Sequence, residues 1–217
     1  LLSSCTTTSK DTTGAIPKLN KPIESMNQAE LASATRSIGA DYARNPKDRD
    51  AGVNYATLLR MTGKNAQALA VMRQVAILHS SDRDVLAAYG KALAAAGELD
   101  QALATISRAQ TPDRPDWRLK SAEGAILDQL GRPEDARNAY RDALDIKPNE
   151  PSILSNIGMS YLLSRDLKTA ETYMRSAIAQ PGADSRIRQN LALVVGLQGT
   201  GDSLRNAPFT EQSLRAM

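Results

Sequence analysis

The chain has one cysteine and one histidine among its 217 residues. Transition-metal sites are built from clusters of these two residue types, so no metal site is expected. His79 lies near the end of a predicted helix, where a lone histidine usually completes the helix C-terminus and does not act as a base. The sequence has no glycine-rich phosphate loop and no nucleophile beside a candidate base. We therefore predict no enzyme activity, no cofactor and no small-molecule substrate.

Aromatic residues make up 4% of the chain, and there are only 13 glycines. This composition leaves few places for the turns and strands of a sheet and favours an all-helical fold. No segment is apolar for long enough to predict a membrane span. The 27 basic and 24 acidic residues are interleaved along the chain. Because a nucleic-acid site needs clustered positive charge, nucleic acid is not an expected partner.

What the chain has is a repeat of 34 residues. Five stretches align at this spacing, beginning at Arg49, Arg83, Trp117, Pro151 and Ser185. An irregular alanine-rich bundle is the alternative, but it would not be expected to keep one register through five stretches. The spacing predicts helix-turn-helix repeats, each with a helix A followed by a helix B.

Each recurring place in the repeat has a physical role. The fifteenth is glycine in four of the five repeats, and a left-handed glycine there ends helix A. Small residues at the eighth and twentieth places let helices A and B approach closely. The eleventh and twenty-fourth places are apolar and are predicted to fill the space between the helices. These apolar positions are Leu59, Leu93, Leu127, Tyr161 and Val195, and then Met72, Ile106, Tyr140 and Met174.

The pattern resembles the tetratricopeptide repeat (TPR), whose repeat length is the same. The resemblance implies an all-α, right-handed superhelical solenoid that grows by adding repeats. It covers four complete repeats at 49–184 and the first helix of a fifth at 185–198. Residues 27–48 keep the same phase and are predicted to form a capping helix.

The first residues predict a lipid anchor. Leu-Ser-Ser-Cys, ending at Cys5, resembles the lipobox of bacterial lipoproteins, in which the cysteine is acylated. We expect residues 1–5 to be the end of a lipoprotein signal and residues 6–26 to be a flexible tether. Thr6, and not aspartate, follows the cysteine, which by resemblance to sorted lipoproteins implies the periplasmic face of the outer membrane of a Gram-negative bacterium. The alternative is that Cys5 is an ordinary free thiol.

In TPR proteins, helix A lines the concave surface, and its places two, five, nine, twelve and thirteen usually face the ligand. Carried over by register, the resemblance implies a partner-binding groove along these places. The candidate groove residues are Thr57, Arg60, Lys91, Arg118, Ala125, Asp128, Gln129, Ser155, Met159, Leu162, Leu163, Gln189, Leu193 and Leu197.

The C-terminal part of this groove is predicted to have an apolar floor, suited to an amphipathic helix or an extended peptide. We define the apolar floor as Met159, Leu162, Leu163, Leu193 and Leu197. The alternative is that the next helix pair simply buries these side chains. Val53 and Thr57 occupy places where chaperone-binding relatives carry the lysine and asparagine of a carboxylate clamp, so an acidic chaperone tail is disfavoured.

A closer resemblance lies towards the C-terminus. The run 151–161, the pairs Ala170-Glu171 and Met174-Arg175, and the run 181–199 are similar to TadD. The TadD family comprises TPR lipoproteins of the tight-adherence (Tad, Flp pilus) apparatus. The resemblance implies a non-enzymatic assembly factor with other Tad proteins as partners. Its expected role is that of a pilotin, which places or stabilises the outer-membrane secretin.

The chain departs from this family after Gly199. Leu204 and Pro208 occupy the twentieth and twenty-fourth places, where a small and an apolar residue are expected. Residues 199–217 are therefore predicted to be an atypical, disordered tail. Either the tail has been replaced, or the last helix A lacks its helix B and exposes apolar surface. Two other functions remain open: a general periplasmic scaffold or regulator of envelope or cell-wall complexes, and a subunit of an unrelated enzyme or transporter.

Overall fold

The computed structural model describes residues 23–206, and for Glu24 and residues 200–206 it describes the backbone alone. Within this range a 3-10 helix, Ile23–Ser25, is followed by ten α-helices and no strand. The helices are α1 Gln28–Arg44, α2 Arg49–Met61, α3 Asn65–Leu78, α4 Arg83–Ala95, α5 Leu99–Ala109, α6 Trp117–Gln129, α7 Pro133–Ile146, α8 Pro151–Leu163, α9 Leu167–Ile178 and α10 Ser185–Asn206. The predicted all-α class is confirmed.

The 34-residue register assigns each helix a role. Helix A of repeats 1 to 4 is α2, α4, α6 and α8, helix B is α3, α5, α7 and α9, and α10 begins a fifth repeat. The chain divides into two compact units, residues 1–96 and residues 97–217. Compact unit 1 contains α1 to α4, and compact unit 2 contains α5 to α10.

Helix A ends at a left-handed residue in each complete repeat. Gly63, Gly97 and Gly131 have φ of 75°, 85° and 72°, and Arg165 adopts φ of 63° at the equivalent place. In repeat 1 the amide of Gly63 donates to the carbonyl of Arg60 at 3.1 Å, and that of Lys64 to the carbonyl of Leu59 at 2.8 Å. These two bonds form a Schellman motif, which satisfies carbonyls left open at the helix end.

The start of helix A has a repeated cap that the sequence analysis missed. Asp48, Asp82, Asp116 and Asp184 lie 34 residues apart, or at multiples of 34, directly before α2, α4, α6 and α10. Each carboxylate accepts from backbone amides in the first turn, for example from Ala51 at 2.9 Å and Ile187 at 2.9 Å. Aspartate is favoured at this position because it satisfies these amides and complements the helix dipole. The 34-residue repeat is therefore present in the capping aspartates as well as in the core residues.

The core of each compact unit lies between the helices of its repeats. Ala68, Ala136 and Ala170, at the twentieth place, have no exposed surface, and the same holds for Met72 and Met174 at the twenty-fourth. A Cβ on Gly124 would lie 2.5 Å from the ring of Tyr140, so only glycine allows α6 and α7 this approach. The predicted roles of the eighth, twentieth and twenty-fourth places are confirmed in repeat 3.

Helix α10 differs from its prediction in two ways. We predicted a helix ending at 198, but α10 continues to Asn206 because Gly199 lies inside it without the left-handed φ of the other fifteenth-place residues. Val195, predicted to fill the core from the eleventh place, is 41% exposed, and the neighbouring Val194 is fully buried instead.

The end of the predicted flexible tether is ordered: Ile23–Ser25 form a 3-10 helix, and Ile23 is buried in a cluster with Leu31, Ile38 and Leu58. The predicted lipobox, Cys5, the rest of the tether up to residue 22, and residues 207–217 of the predicted tail lie outside the described residues.

Candidate partner-binding surface

In compact unit 1, the candidate groove residues lie on α2 and α4. Thr57, Arg60 and Lys91 are all partly exposed. The Thr57 hydroxyl donates to the carbonyl of Val53 at 2.9 Å, within its own helix. Because this bond uses the hydroxyl proton, Thr57 offers a ligand mainly an acceptor.

A charged cluster lies at the N-terminal ends of α2 and α4. Arg49 donates from Nε to Asp82 Oδ2 at 2.8 Å and from Nη2 to Asp84 Oδ2 at 2.7 Å. Asp82 also caps α4, so its carboxylate is held by backbone amides as well. The Arg49 guanidinium lowers the pKa of Asp82 to about 2. This paired charge joins helix A of repeat 1 to helix A of repeat 2.

In compact unit 2, the candidate residues differ in exposure. Arg118, Gln129, Leu163, Gln189, Leu193 and Leu197 are exposed, and Ala125, Asp128, Met159 and Leu162 are partly exposed. The Arg118 guanidinium lies over the ring of Trp117, 4.6 Å from its centroid, so its position is set by a cation–π contact.

Ser155 corrects the prediction. Its side chain is 2% exposed, because it lies between α8, α9 and α10. The hydroxyl contacts Met174 Sδ at 3.5 Å and accepts from Asn190 Nδ2 at 3.2 Å. Ser155 therefore joins helices of neighbouring repeats and does not face a groove.

The Ser155 contact is one of a pair. Asn156 Nδ2 donates to Ser121 Oγ at 3.0 Å, and in both cases the asparagine follows the serine by 35 residues. The serine occupies the fifth place and the asparagine the sixth place of the next repeat. This Ser–Asn ladder links α6 to α8 and α8 to α10. The recurring 35-residue spacing was the signal in the sequence, but isolated serines and asparagines looked like ordinary surface residues.

Asp128 also takes part in a contact between repeats. Its Oδ2 accepts from the Tyr140 hydroxyl at 3.0 Å, and its Oδ1 from the Ser160 hydroxyl at 2.7 Å. Burial raises the pKa of Asp128, although both hydrogen bonds act in the opposite direction. Because both carboxylate oxygens have partners inside the protein, Asp128 contributes less to a binding surface than its register place suggests.

Arg137 completes this polar network and was missed in the sequence. Its side chain is buried, donates to Ser164 Oγ at 3.2 Å, and pairs with Glu134. Its guanidinium lies 4.7 Å from the centroid of the Tyr161 ring. A buried arginine in this setting is held by hydrogen bonds and by the aromatic face together. The network fixes α7 against α8.

The apolar floor is divided in the structure. Met159 and Leu162 are partly buried against a cluster of Ala170, Met174 and Val194, as expected if the next helices cover them. The other three members remain open to solvent: Leu163 is 64% exposed, Leu193 49% and Leu197 43%. Exposed large apolar side chains are candidates for an interaction surface. These three leucines form the part of the floor available to a partner.

A separate groove of about 300 Å³ lies between α5 and α7, over α6. Its lining includes Lys120, Glu123 and Asp142, and Lys120 Nζ lies 3.2 Å from both carboxylates. None of the candidate groove residues lines it. Its charged groups are largely paired with one another.

The described part of the chain has neither a candidate metal site nor a candidate membrane-spanning helix. Residues 23–206 contain no group of three or more histidine, cysteine, aspartate or glutamate side chains that could hold a metal ion. The same residues include no helix that is both long and apolar enough to cross a membrane.

Comparison with protein families identifies the repeat. The model of the tetratricopeptide repeat-like domain matches residues 6–157. The chain belongs to this family. Repeats of this kind form a fold that generally serves as a module for protein–protein interaction and stack through nearest-neighbour contacts.

Solved structures confirm the fold. The TPR protein TTC0263 of Thermus thermophilus is 20% identical, with a TM-score of 0.67 over 77% of this chain and 91% of that one. PilW, described as a widely conserved type IV pilus biogenesis factor, is 17% identical, with a TM-score of 0.62 over 86% and 91%. Pseudomonas aeruginosa pilF is 19% identical, with a TM-score of 0.56 over 87% and 90%. At these identities the similarity concerns the fold alone.

The curated relatives match this chain only over short segments. The flagellar P-ring protein of Agrobacterium fabrum strain C58 is 63% identical over 41 residues, which are 19% of this chain and 11% of the relative. That of Rhizobium johnstonii is 42% identical over 64 residues, 30% of this chain and 15% of the relative. The chain thus spans about a tenth to a seventh of the length of these relatives.

Proposed function

We propose that this protein is a lipid-anchored assembly factor of the Tad/Flp pilus, at the periplasmic face of the outer membrane. In this proposal it acts as a pilotin that places or stabilises the secretin through which the pilus emerges. Other Tad assembly proteins are further partners.

One observation supports this function more than any other. Leu163, Leu193 and Leu197 are exposed on α8 and α10, at helix A places where TPR proteins usually contact their ligands. An amphipathic segment of a client can bury these side chains, which gains about 25 cal/mol for each Å² of apolar surface removed from water. The segment that binds these leucines should therefore carry apolar side chains spaced along its length.

Three sequence features support the specific setting. The lipobox-like Leu-Ser-Ser-Cys supports lipid attachment at Cys5, and the runs 151–161 and 181–199 support a TadD-like protein. The folds of PilW and pilF, the first named as a type IV pilus biogenesis factor, are compatible with a role in pilus assembly.

The proposed mechanism combines the anchor with the surface. The acyl chains hold the repeats at the membrane, since about 0.8 kcal/mol per buried CH₂ makes attachment by several chains effectively permanent. A client segment captured by the exposed leucines then has a raised effective concentration beside the membrane. The protein needs no chemical step, only binding and placement.

The first experiment measures heat-resistant multimers of the Tad secretin in outer-membrane fractions. It compares cells that have the protein, cells that lack it, and cells with Cys5→Ser. We expect fewer multimers in both altered strains. Unchanged multimers in both would show that the secretin is not the client.

The surface is tested in the same cells with Leu163→Asp/Leu193→Asp. Ile77→Asp is the matched control, because Ile77 is 78% exposed on α3 but does not occupy a helix A place. We expect the double variant to lose multimers at normal protein levels and the control to keep them. Equal multimers in both variants would exclude the exposed leucines as the contact.

The second candidate function is a general periplasmic scaffold or regulator of envelope or cell-wall complexes. The local similarity to flagellar P-ring proteins is the observation that favours it. Motility and co-purified partners in cells without pilus genes discriminate the two functions. Partners that persist in such cells, with a motility defect when the protein is deleted, would favour the scaffold.

A further inference from the structure

Helix α10 occupies the position of helix A in a fifth repeat. Ile187 and Val194, at its third and tenth places, are 1% and 0% exposed. The same two places in α6, Leu119 and Ile126, are each 2% exposed. The face of α10 that packs against the preceding repeat is thus buried to the same extent as in α6.

A different face of α10 is exposed, namely the face that packs against helix B in the complete repeats. We call this the open face of α10 and define it as Arg188, Ala192 and Val195, at the fourth, eighth and eleventh places. All three side chains are exposed. In repeat 3 the eighth and eleventh places, Gly124 and Leu127, are buried.

Among the described residues, no helix B follows α10 at the expected position. Helix B of a fifth repeat would begin near residue 201, but residues 201–206 continue α10 itself. Leu204 occupies the twentieth place, where Ala136 and Ala170 have no exposed surface in repeats 3 and 4. A leucine would hold the helix axes apart there.

The complete repeats show what chemistry the open face fits. In repeat 1, alanine at the eighth place accompanies Met72 at the twenty-fourth, and both side chains are buried. In repeat 3, Lys120 at the fourth place pairs with Asp142 of helix B, with Nζ and Oδ2 3.2 Å apart. Helix α10 carries alanine at the same eighth place and the cation Arg188 at the same fourth place.

We propose that the open face of α10 binds an amphipathic helix of a partner protein, in the position that helix B occupies in repeats 1, 3 and 4. The partner helix carries a small residue, a flexible bulky apolar residue four positions later, and a carboxylate two positions after that. The small residue allows close approach, the bulky residue fills the space over Ala192, and the carboxylate pairs with Arg188. The identity of the partner as a pilus assembly protein rests on the proposed function, whereas the surface rests on the helix contacts.

The chain provides its own probe for this test. A labelled peptide of residues 133–146 with Tyr140→Met contains Ala136, a methionine at 140 and Asp142 in the required spacing. Its binding to the purified full chain is measured by fluorescence anisotropy. We expect saturable binding that Val195→Asp weakens by about tenfold or more, as for the core of a small interface. Ile77→Asp is the matched control, since it changes an exposed apolar residue on α3 and leaves both the open face and the exposed leucines intact.

The carboxylate is tested by exchanging charges. Arg188→Glu should weaken binding by about fivefold, and a peptide with Asp142→Lys should restore it. Binding that is the same for Val195→Asp and the original protein would overturn the proposal, and failure of the exchanged pair would overturn its charged contact.

Two other results would also overturn it. Sedimentation that shows a dimer, with Val195→Asp a monomer, would assign the face to a second copy of this chain. If Phe209→Asp tightens peptide binding by about tenfold, residues of the chain beyond α10 compete with the peptide, and the open face would be assigned to them. Because these measurements use purified protein, their failure leaves the secretin experiment intact, and the reverse also holds.

Discussion

Repeat 3 and helix α10 begin from the same 34-residue pattern, but within residues 23–206 only repeat 3 has a helix B. In repeat 3, α7 covers α6, so that Gly124 and Tyr140 are in contact and Leu127 is buried. On α10 the equivalent face is exposed. The comparison shows that a helix A is buried on one face by its own repeat and on another by the preceding one.

Because one face is buried and the other is exposed, equivalent residues in the two regions should have different roles, in stability and in binding. The α6–α7 pair uses its small and bulky residues to stabilise the fold, and changes there should unfold the protein. The same types of residue on α10 are free of that role, so changes there should alter binding with little loss of stability. Substitutions in the two regions should therefore differ in their effect on stability.

Gly124→Ala should destabilise the protein by about 3 kcal/mol. The new Cβ would lie 2.5 to 2.8 Å from three atoms of the Tyr140 ring, and Tyr140 is 2% exposed and hydrogen-bonded to Asp128, so the ring cannot move freely. Chemical denaturation measures the free energy of unfolding. Gly158→Ala is the comparison and should cost less, because the added Cβ would lie no closer than 3.0 Å to Met174 Cε and 3.1 Å to the Ala170 carbonyl oxygen. Equal costs would contradict this account.

Arg137→Met should destabilise the protein by about 2 kcal/mol. Methionine keeps apolar volume but loses the hydrogen bond to Ser164 and the contact with the Tyr161 ring. The control is Arg141→Met on the same helix, where the arginine is exposed and should contribute less than 0.5 kcal/mol, roughly. A similar loss in both variants would show that Arg137 acts only through its charge.

Two aspartates should give pH dependences of opposite sign. Arg49 lowers the pKa of Asp82 to about 2, below the usual 3.8, so the ionised form is favoured by folding. This stabilisation is present above about pH 4 and is lost as the pH falls towards 2. The stability advantage of the original protein over Asp82→Asn should therefore shrink by about 1 kcal/mol between pH 5 and pH 2, since solvent screens a side chain that is 31% exposed.

Asp128, inside the α6–α7 pair, should behave in the reverse manner. Burial raises its pKa, so folding disfavours the ionised form. The cost is absent where the carboxyl is protonated in both states and appears as the pH rises through its titration. The stability of the original protein relative to Asp128→Asn should thus decrease with rising pH. Denaturation curves from pH 2 to pH 6 measure both variants, with Asp48→Asn, at another helix cap, as control. The same sign for Asp82 and Asp128 would contradict the comparison.

The sequence predicted the elements whose residues recur at one place in each repeat. Glycine at the fifteenth place indicated the ends of helix A, and alanine at the twentieth indicated the close helix pairs. These predictions succeeded because a left-handed turn and a close approach each allow few residue types. In α10 the buried residues Ile187 and Val194 keep the places of Leu119 and Ile126 in α6, but the sequence analysis had assigned the core to Val195.

The site was less predictable, because its features depend on contacts between repeats. Register placed Ser155 in a groove, but its side chain is buried against Met174 and Asn190. Register also placed Val195 in the core, but that place is buried only when a helix B follows. The Arg137 network has no recurring pattern, so neither spacing nor composition indicated it. Which groove residues bind a partner stays a prediction.

The smallest expected effect concerns the glycines of α10. Gly196 lies within the helix, and a Cβ added there meets no atom within 4 Å. Gly196→Ala should therefore stabilise α10 by about 0.5 to 1 kcal/mol, because alanine reduces the conformational freedom of the unfolded chain. Hydrogen exchange of the amides in α10 measures the change.

The matched control is Gly131→Ala, where the added Cβ also meets no atom within 4 Å but the backbone has φ of 72°. That conformation strains alanine, so this variant should lose about 1 kcal/mol. Opposite signs in two equally open sites would show that backbone conformation, and not packing, decides the effect of the added Cβ. Slower exchange in neither variant, or in both, would contradict this account of the two glycines.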